Sequence, residues 1–145
     1  MSITDSTPAA APLMDTMADI EAFEKLPLNS HFPFTNSYAL IMDSARRFGD
    51  QPALEFLLSG EADETAQTIS FKQLATDVTR TANLLHSLGV GANDAVSIIL
   101  PILPQSHPVI WGAQACGIAN PINPMLEAGH IAEIINAAEA KVIIC

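Results

Sequence analysis

The chain has few basic residues, and those it has are dispersed. Its 145 residues include 6 Lys and Arg against 16 Asp and Glu, a formal net charge of −10. This balance excludes nucleic acid and anionic membranes as predicted partners, because both require positive charge. Only Arg46 and Arg47 are adjacent, and no Gly-rich loop compensates for the missing cations. A polyphosphate site within these residues is therefore not expected.

Cysteine and long apolar runs are also scarce. The two cysteines, Cys116 and Cys145, are too few for a disulfide framework and have no partner at metal-ligand spacing. The N-terminus lacks the basic and apolar segments of a secretory signal. No apolar run approaches the ~18 residues of a membrane-spanning helix. We therefore predict a protein of a reducing compartment, the cytoplasm, without a transmembrane segment.

What the chain does have is apolar sequence, 49% of all residues. Residues 95–100 form an almost unbroken apolar run that is rich in β-branched residues, as in strands of a parallel sheet that is covered on both faces. Two more candidate strands follow, 119–122 and 141–144, each after a helix-length segment. The predicted fold class is α/β, a parallel, doubly wound βαβαβ unit with right-handed crossovers.

The sequence as a whole predicts that the chain consists of two regions. Residues 1–35 are interpreted as a disordered tail and a peripheral arm, with a short helix over 19–26. Residues 36–145 are interpreted as one incomplete α/β domain. Asn36 or Ser37 is expected to cap a helix that runs to Phe48. A strand over 53–58, a mobile acidic loop over 59–66 and an extended segment over 67–69 should follow.

The helix that opens at Ser70 carries the clearest signals. Ser70 and Gln73 are spaced as a capping box, and Gly89 stands at the end of the apolar stripe. The next helix, predicted over 105–116, is apolar nearly all round, which predicts burial on several sides. Gly112 within this helix predicts a close contact with another helix. The last helix is predicted from the apolar face formed by Ile131, Ile134, Ile135 and Ala138.

No group of residues predicts a catalytic, cofactor-binding or metal site. The glycines of 89–94 follow a helix and lead into a strand, the reverse of a dinucleotide-binding loop. Ser106 lacks the flanking glycines of a nucleophile elbow, and Asp63 and Glu64 are interpreted as a solvated loop. The other side chains considered, each interpreted as structural or isolated, are Ser97, His107, Cys116, His31, His86 and His130.

The order of several segments resembles the adenylate-forming enzymes, and most closely their acyl-CoA synthetase branch. The segments are 70–74 (SFKQL), 82–94 (ANLLHSLGVGAND), 96–101 (VSIILP), 111–124 (WGAQACGIANPINP) and 140–144 (AKVII). Each is a structural pattern of modest specificity, whereas their order and spacing together are more specific. The resemblance extends over about residues 37–145.

The resemblance implies an ATP-dependent, AMP-forming ligase of fatty acid metabolism or related pathways. Such enzymes join a carboxylic acid to coenzyme A with ATP and Mg²⁺. Their phosphate loop ending in Pro-Lys-Gly, aromatic-Gly-x-Thr-Glu segment, ribose-binding aspartate and C-terminal lysine are not found in residues 1–145. The chain is therefore expected to be the opening portion of such an enzyme. By itself it should be inactive and bind neither ATP nor coenzyme A.

A competing interpretation is a self-sufficient binding or interaction module of flavodoxin-like shape, without catalysis. This interpretation explains the βαβαβ pattern but not the long segment that precedes it. The isolated chain is also expected to self-associate, because the final strand is apolar on both faces and would leave large side chains exposed. Sedimentation of the purified chain is the test that separates an associating fragment from a monomeric module.

Overall fold

The structure is a computed structural model that describes residues 14–27, 30, 33–61 and 63–145. The chain divides into two compact units, Met1–Phe34 and Thr35–Cys145. In the first, helix α1 spans Met17–Glu24. Thr16 Oγ1 accepts a hydrogen bond from Asp19 N, and the Asp19 carboxylate accepts one from Thr16 N, so that a capping box starts the helix. The predicted start at Asp19 was late because this box was not considered.

The second unit contains four helices and five strands among its described residues. They are α2 (Ser37–Phe48), β1 (Pro52–Phe56), β2 (Gln67–Ser70), α3 (Phe71–Ser87), β3 (Ala95–Ile98), α4 (Ser106–Cys116), β4 (Ile118–Pro121), α5 (Ala128–Ala137) and β5 (Val142–Ile144). Asn36 caps α2 by accepting a hydrogen bond from Ala39 N at 2.8 Å. No helix among the described residues is long and apolar enough to span a membrane.

The predicted parallel sheet is confirmed. Its order is β4-β3-β5, with β3 parallel to both neighbours and Ser97 level with Asn120 and Ile143. All residues of β3 are buried, as the continuous apolar run predicted. The strand ends at Ile98 rather than Leu100, because its neighbours end at Pro121 and Ile144 and offer no further ladder.

The strand order also explains the double winding. The chain passes from β3 to one neighbour through α4, and then crosses β3 through α5 to reach the other neighbour. Right-handed crossovers in opposite directions place α4 and α5 on opposite faces of the sheet. Loops that follow β3 and β4 therefore diverge to opposite faces at the carboxyl edge.

The core lies between the sheet and the pair α3 and α4. Val96 and Ile98 of β3 pack with Leu85 of α3 and Ala113 of α4, all buried. Gly112 of α4 faces α3 so closely that an added Cβ would lie 2.6 Å from Thr81 Cβ. This confirms the predicted close contact at Gly112.

The two ends of α3 confirm part of what the sequence predicted for its capping. Ser70 Oγ accepts from Gln73 N, which is one half of the predicted capping box. The Gln73 amide donates instead to the Asp77 carboxylate at 2.9 Å, one turn further on, so the reciprocal half was wrong. At the other end, Gly89 has φ +85° and donates to His86 O. Val90 N donates to Leu85 O, which completes a Schellman motif.

The antiparallel hairpin of β1 and β2 has a loop whose backbone is held by one carboxylate. The predicted solvated loop is closed by Glu64, whose carboxylate accepts from the backbone N–H groups of Leu58, Ser59 and Gly60 and from the Ser59 hydroxyl. These hydrogen bonds, with Ser59 contributing most, lower the pKa of Glu64 to about 2. Glu64 therefore has a structural role, because its carboxylate accepts hydrogen bonds from the backbone of the loop.

Candidate functional site

The carboxyl edge of β3 and β4 is the place where this topology favours a ligand. In open α/β sheets, ligands bind outside the carboxyl ends of adjacent strands whose following loops go to opposite faces. Here those loops are residues 99–105, after β3, and residues 122–127, after β4. Ile122 N donates to Ile98 O at 2.8 Å, which holds the start of the second loop against the end of β3.

The loop after β3 is shaped by a buried hydroxyl. Ser106 Oγ donates to Pro101 O at 2.7 Å and accepts from Leu103 N at 3.3 Å. Ser106 N also donates to Leu103 O at 3.0 Å. Together with the fixed φ of Pro101 and Pro104, these bonds determine the backbone path from the strand into α4. In the sequence, Ser106 was interpreted only as a candidate nucleophile, so this structural role was missed.

Both loops lack basic residues and are partly apolar, and their one charged residue is Glu127 at the end of the second loop. Residues 95–126 contain no Asp, Glu, Lys or Arg. The side chain of Ile102 is 83% exposed and that of Met125 is 87% exposed. Met125 N donates to Asn123 Oδ1, which bends the second loop. The edge therefore presents apolar side chains on ordered loops, without a cation that could neutralise a phosphate.

The amino end of the sheet differs in its chemistry. Lys141 Nζ lies 2.9 Å from Asp94 Oδ2, which also accepts from Gly91 N at 2.8 Å. The Lys141 ammonium and the Gly91 N–H lower the pKa of Asp94 below its usual value. This ion pair connects the turn before β3 to the start of β5.

A cleft of about 420 Å³ opens near the same end, between α2, α3 and α4. Its lining residues are Tyr38, Thr79, Ala82, Asn83, His86, Gly91, Ala92, Ala115 and Cys116. The Tyr38 and Thr79 hydroxyls lie 3.0 Å apart and pair with each other. The cleft lies away from the carboxyl edge, so we give it less weight as a reaction site than the loops after β3 and β4.

The thiol in this cleft is not activated. Cys116 Sγ donates to the carbonyl oxygens of Gly112 at 3.4 Å and Ala113 at 3.6 Å. Burial raises the pKa of the Cys116 thiol, which disfavours the reactive thiolate. Cys116 was interpreted as a small core residue, and its side chain is partly buried against the core cluster.

The structure separates the other candidate side chains. Ser97 is buried and accepts a hydrogen bond from Asn120 Nδ2 at 3.1 Å across the sheet. His107 is half-buried in the first turn of α4, as expected, and His130 is exposed on α5. His31 falls outside the described residues. Within the part of the chain that the structure describes, no three His, Cys, Asp or Glu side chains are placed to hold a metal ion.

Comparison with known families identifies the scaffold. The family described as AMP-binding enzyme matches residues 41–145. The chain belongs to this family. Within it, the chain is 31% identical over 128 residues to a marinolic acid–CoA ligase of Pseudoalteromonas sp., a match that covers 88% of the chain and 20% of that ligase. It is 30% identical over 93 residues to the acetyl-coenzyme A synthetase of Pseudoalteromonas atlantica, which covers 61% of the chain and 14% of the synthetase.

Two solved structures show the same fold. The N-terminal subdomain of Klebsiella oxytoca NpsA, in complex with 3-hydroxybenzoyl-AMSN, matches with a TM-score of 0.65 and 21% identity over 76% of the chain and 26% of that subdomain. The N-terminal domain of Mycobacterium tuberculosis FACL13 matches with a TM-score of 0.64 and 22% identity over 76% of the chain and 26% of that domain. The chain thus spans about a quarter of these domains, and a fifth or less of the two ligases.

Proposed function

We propose that this AMP-binding family chain forms the opening part of an AMP-forming acyl-CoA synthetase. The complete enzyme would convert a carboxylic acid, ATP and coenzyme A to acyl-CoA, AMP and pyrophosphate. The observation that carries the proposal is the match to a CoA ligase over 88% of the chain. The likeness of its fold to the N-terminal domain of FACL13 supports it.

The described residues do not fit the phosphate groups of ATP or coenzyme A. The loops at the carboxyl edge carry no basic side chain, since their one charged residue is Glu127, and Lys141 beside the sheet is already paired with Asp94. Arg46 and Arg47 both pair with Asp43 on α2. We therefore assign the phosphates and Mg²⁺ to residues outside this chain in the complete enzyme. The role proposed for the chain is a scaffold that positions the two loops.

The test uses the complete protein encoded by the gene. We expect it to release pyrophosphate with ATP, Mg²⁺, coenzyme A and at least one member of a carboxylic acid panel that ranges from acetate to long-chain and aromatic acids. Leaving out the acid should abolish the release, which controls for simple ATP hydrolysis. If no acid supports pyrophosphate release by a folded protein, the proposal is wrong.

The 145-residue chain provides the complementary measurement. We expect calorimetric titration with ATP and with coenzyme A to detect no binding, since its net charge of −10 repels both polyanions. A micromolar dissociation constant for either ligand would contradict the scaffold role and favour the alternative of a self-sufficient binding module. We also propose the cytoplasm as the compartment, because the two cysteines are too few for a disulfide framework and suit a reducing environment.

A further inference from the structure

The backbone N–H groups of three consecutive residues in the β1–β2 loop, 58–60, donate to one carboxylate. Glu64 Oε1 accepts a hydrogen bond from Leu58 N at 2.6 Å and from Ser59 N at 3.2 Å. Glu64 Oε2 accepts from Ser59 N at 2.9 Å, from Gly60 N at 2.7 Å and from the Ser59 hydroxyl at 2.8 Å. Both oxygens of the carboxylate are therefore bound, by three N–H groups and one hydroxyl.

The backbone conformation of this segment favours such a convergent set of donors. Gly60 has φ +73°, in the left-handed region that glycine adopts without strain. An added Cβ at Gly60 would meet nothing within 4 Å, so the backbone conformation, and not a lack of space, is what favours glycine there. Successive N–H groups in a turn with a left-handed residue form a nest, which is a general anion-binding shape in proteins.

The carboxylate is held without a basic side chain. None of the ion pairs among the described residues involves Glu64, and its acidic neighbours Glu61 and Asp63 only add negative charge. The attraction comes from the backbone N–H dipoles and the Ser59 hydroxyl, through charge-assisted hydrogen bonds. These donors recognise a carboxylate and not the residue that carries it. The covalent link to the chain keeps the local concentration of this carboxylate high.

We propose that residues 58–60 form a carboxylate-binding site that Glu64 occupies from within the chain. The ligand class is a small monocarboxylate, because the donors are shared between the two oxygens of one carboxylate. In the wild type Glu64 excludes anions from solution, and in its absence a free carboxylate binds and restores the loop. Occupancy of the site thus controls the order of a segment that the sequence predicts to be mobile. The inference is independent of the proposed function, since it involves neither ATP nor turnover.

Hydrogen–deuterium exchange of the complete protein tests the site locally. Glu64→Ala removes the atoms of an acetate ion and leaves the backbone donors in place, so acetate is the probe. With millisecond labelling, the peptide that contains residues 58–60 should exchange roughly tenfold faster in Glu64→Ala than in the wild type, since its N–H groups lose a charged acceptor. Sodium acetate should restore the wild-type rate in the variant in a saturable manner and should leave the wild type unchanged.

Three controls separate binding from general effects. Acetamide, which has the shape of acetate without its charge, and sodium chloride at equal ionic strength should not restore protection. In Glu64→Gln the side chain still fills the space, so exchange should be faster than in the wild type and acetate should not reverse it. Glu61→Ala removes a negative charge from the same loop and should keep the wild-type rate, because the acceptor of these N–H groups is Glu64.

Each outcome decides the proposal. Protection that acetate restores in Glu64→Ala and not in Glu64→Gln confirms the site. Unprotected N–H groups at residues 58–60 in the wild type would overturn it whatever the variants show, and so would a Glu64→Ala protein that acetate fails to protect. Equal recovery with acetate, acetamide and chloride would show a solvent effect only and would overturn it as well. Exchange of the peptide that contains the buried strand β3 reports, in the same experiment, that each variant is folded.

Discussion

The two ends of the central strand β3 are built differently. At its amino end, the Asp94 carboxylate is held by Lys141 and by the Gly91 N–H group. Gly117 approaches so closely that an added Cβ would lie 2.7 Å from Asp94 O and 2.8 Å from Val90 Cγ1. At its carboxyl end, the loops carry no cation, and Ile102 is left exposed. One end is closed by paired polar groups and close backbone contacts, and the other presents free apolar side chains.

The difference indicates how stability and function are divided along one strand. Close contacts at the amino end join the turn before β3 to the starts of β4 and β5, so substitutions there should act on folding. At the carboxyl edge, substitutions of exposed side chains such as Ile102 should change the free energy of unfolding less, whereas the buried Ser106 hydroxyl contributes to stability there as well. This division is typical of α/β folds, where function concentrates at the carboxyl ends of the strands.

The largest effect is expected from Gly117→Ala at the amino end. The backbone of Gly117 is extended, so the conformation itself suits alanine. The new Cβ would instead meet the backbone oxygen of Asp94 at 2.7 Å and that of Gly91 at 3.1 Å, neither of which can move independently of the strand. We expect a loss of roughly 2–3 kcal/mol in the free energy of unfolding, measured by urea denaturation.

The matched control for this variant is Gly129→Ala in helix α5. An added Cβ there meets nothing within 4 Å, so alanine should stabilise the helix by roughly 0.5–1 kcal/mol. If Gly117→Ala and Gly129→Ala change the free energy of unfolding alike, Gly117 does not pack against the Asp94 and Gly91 backbone as closely as the structure shows. The comparison between the two ends would then lose its basis.

A smaller effect is expected from Ser106→Ala at the carboxyl edge. The substitution removes the acceptor of Leu103 N and the donor to Pro101 O, and the free energy of unfolding should fall by roughly 1–2 kcal/mol. Ser87→Ala is the control, because the Ser87 hydroxyl donates to Leu84 O at an exposed helix end. An equally large loss for Ser87→Ala would show that the burial of Ser106 does not increase the contribution of its hydrogen bonds to the free energy of unfolding.

The sequence predicted the sheet well because a single physical signal dominates it. A continuous apolar run such as that of β3 requires cover on both faces, and the helix-length segments between the runs leave a parallel arrangement as the consistent one. The ends of the elements were less accurate. Pairing of β3 stops where β4 reaches Pro121, and this depends on the neighbouring strand rather than on β3 itself.

The polar contacts at the loops could not be predicted in the same way. Glu64 contacts the backbone of residues five and six positions earlier, and Lys141 contacts Asp94 from another strand. Nothing in the local pattern specifies such partners, because both side chains would be equally acceptable in solvent. The role of Ser106 had a weak signal, a serine at the first turn of a helix after two prolines, but it was considered only for catalysis.

The smallest effect concerns the ion pair at the amino end and depends on pH. Because the folded-state pKa of Asp94 lies below its usual value of 3.8, its contribution to stability is present above that value. The contribution is lost as the pH falls through the lowered pKa. Lys141→Met removes the main cause of the shift, so the Asp94 pKa should rise toward 3.8. The variant should have a lower Tm than the wild type at neutral pH, and the difference should shrink in acid.

Lys72→Met is the charge-matched control, since it removes one positive charge from the exposed side of α3 and leaves the Asp94 contacts in place. Carboxyl titration by NMR gives the Asp94 pKa in each variant, and thermal unfolding from neutral to acidic pH gives the Tm difference. Equal Asp94 pKa values in Lys141→Met and Lys72→Met would mean that net charge, and not the contact at 2.9 Å, sets the shift. Because Asp94 and Lys141 are both partly exposed, raising the salt concentration should weaken the effect of Lys141→Met, which is the behaviour of a surface ion pair.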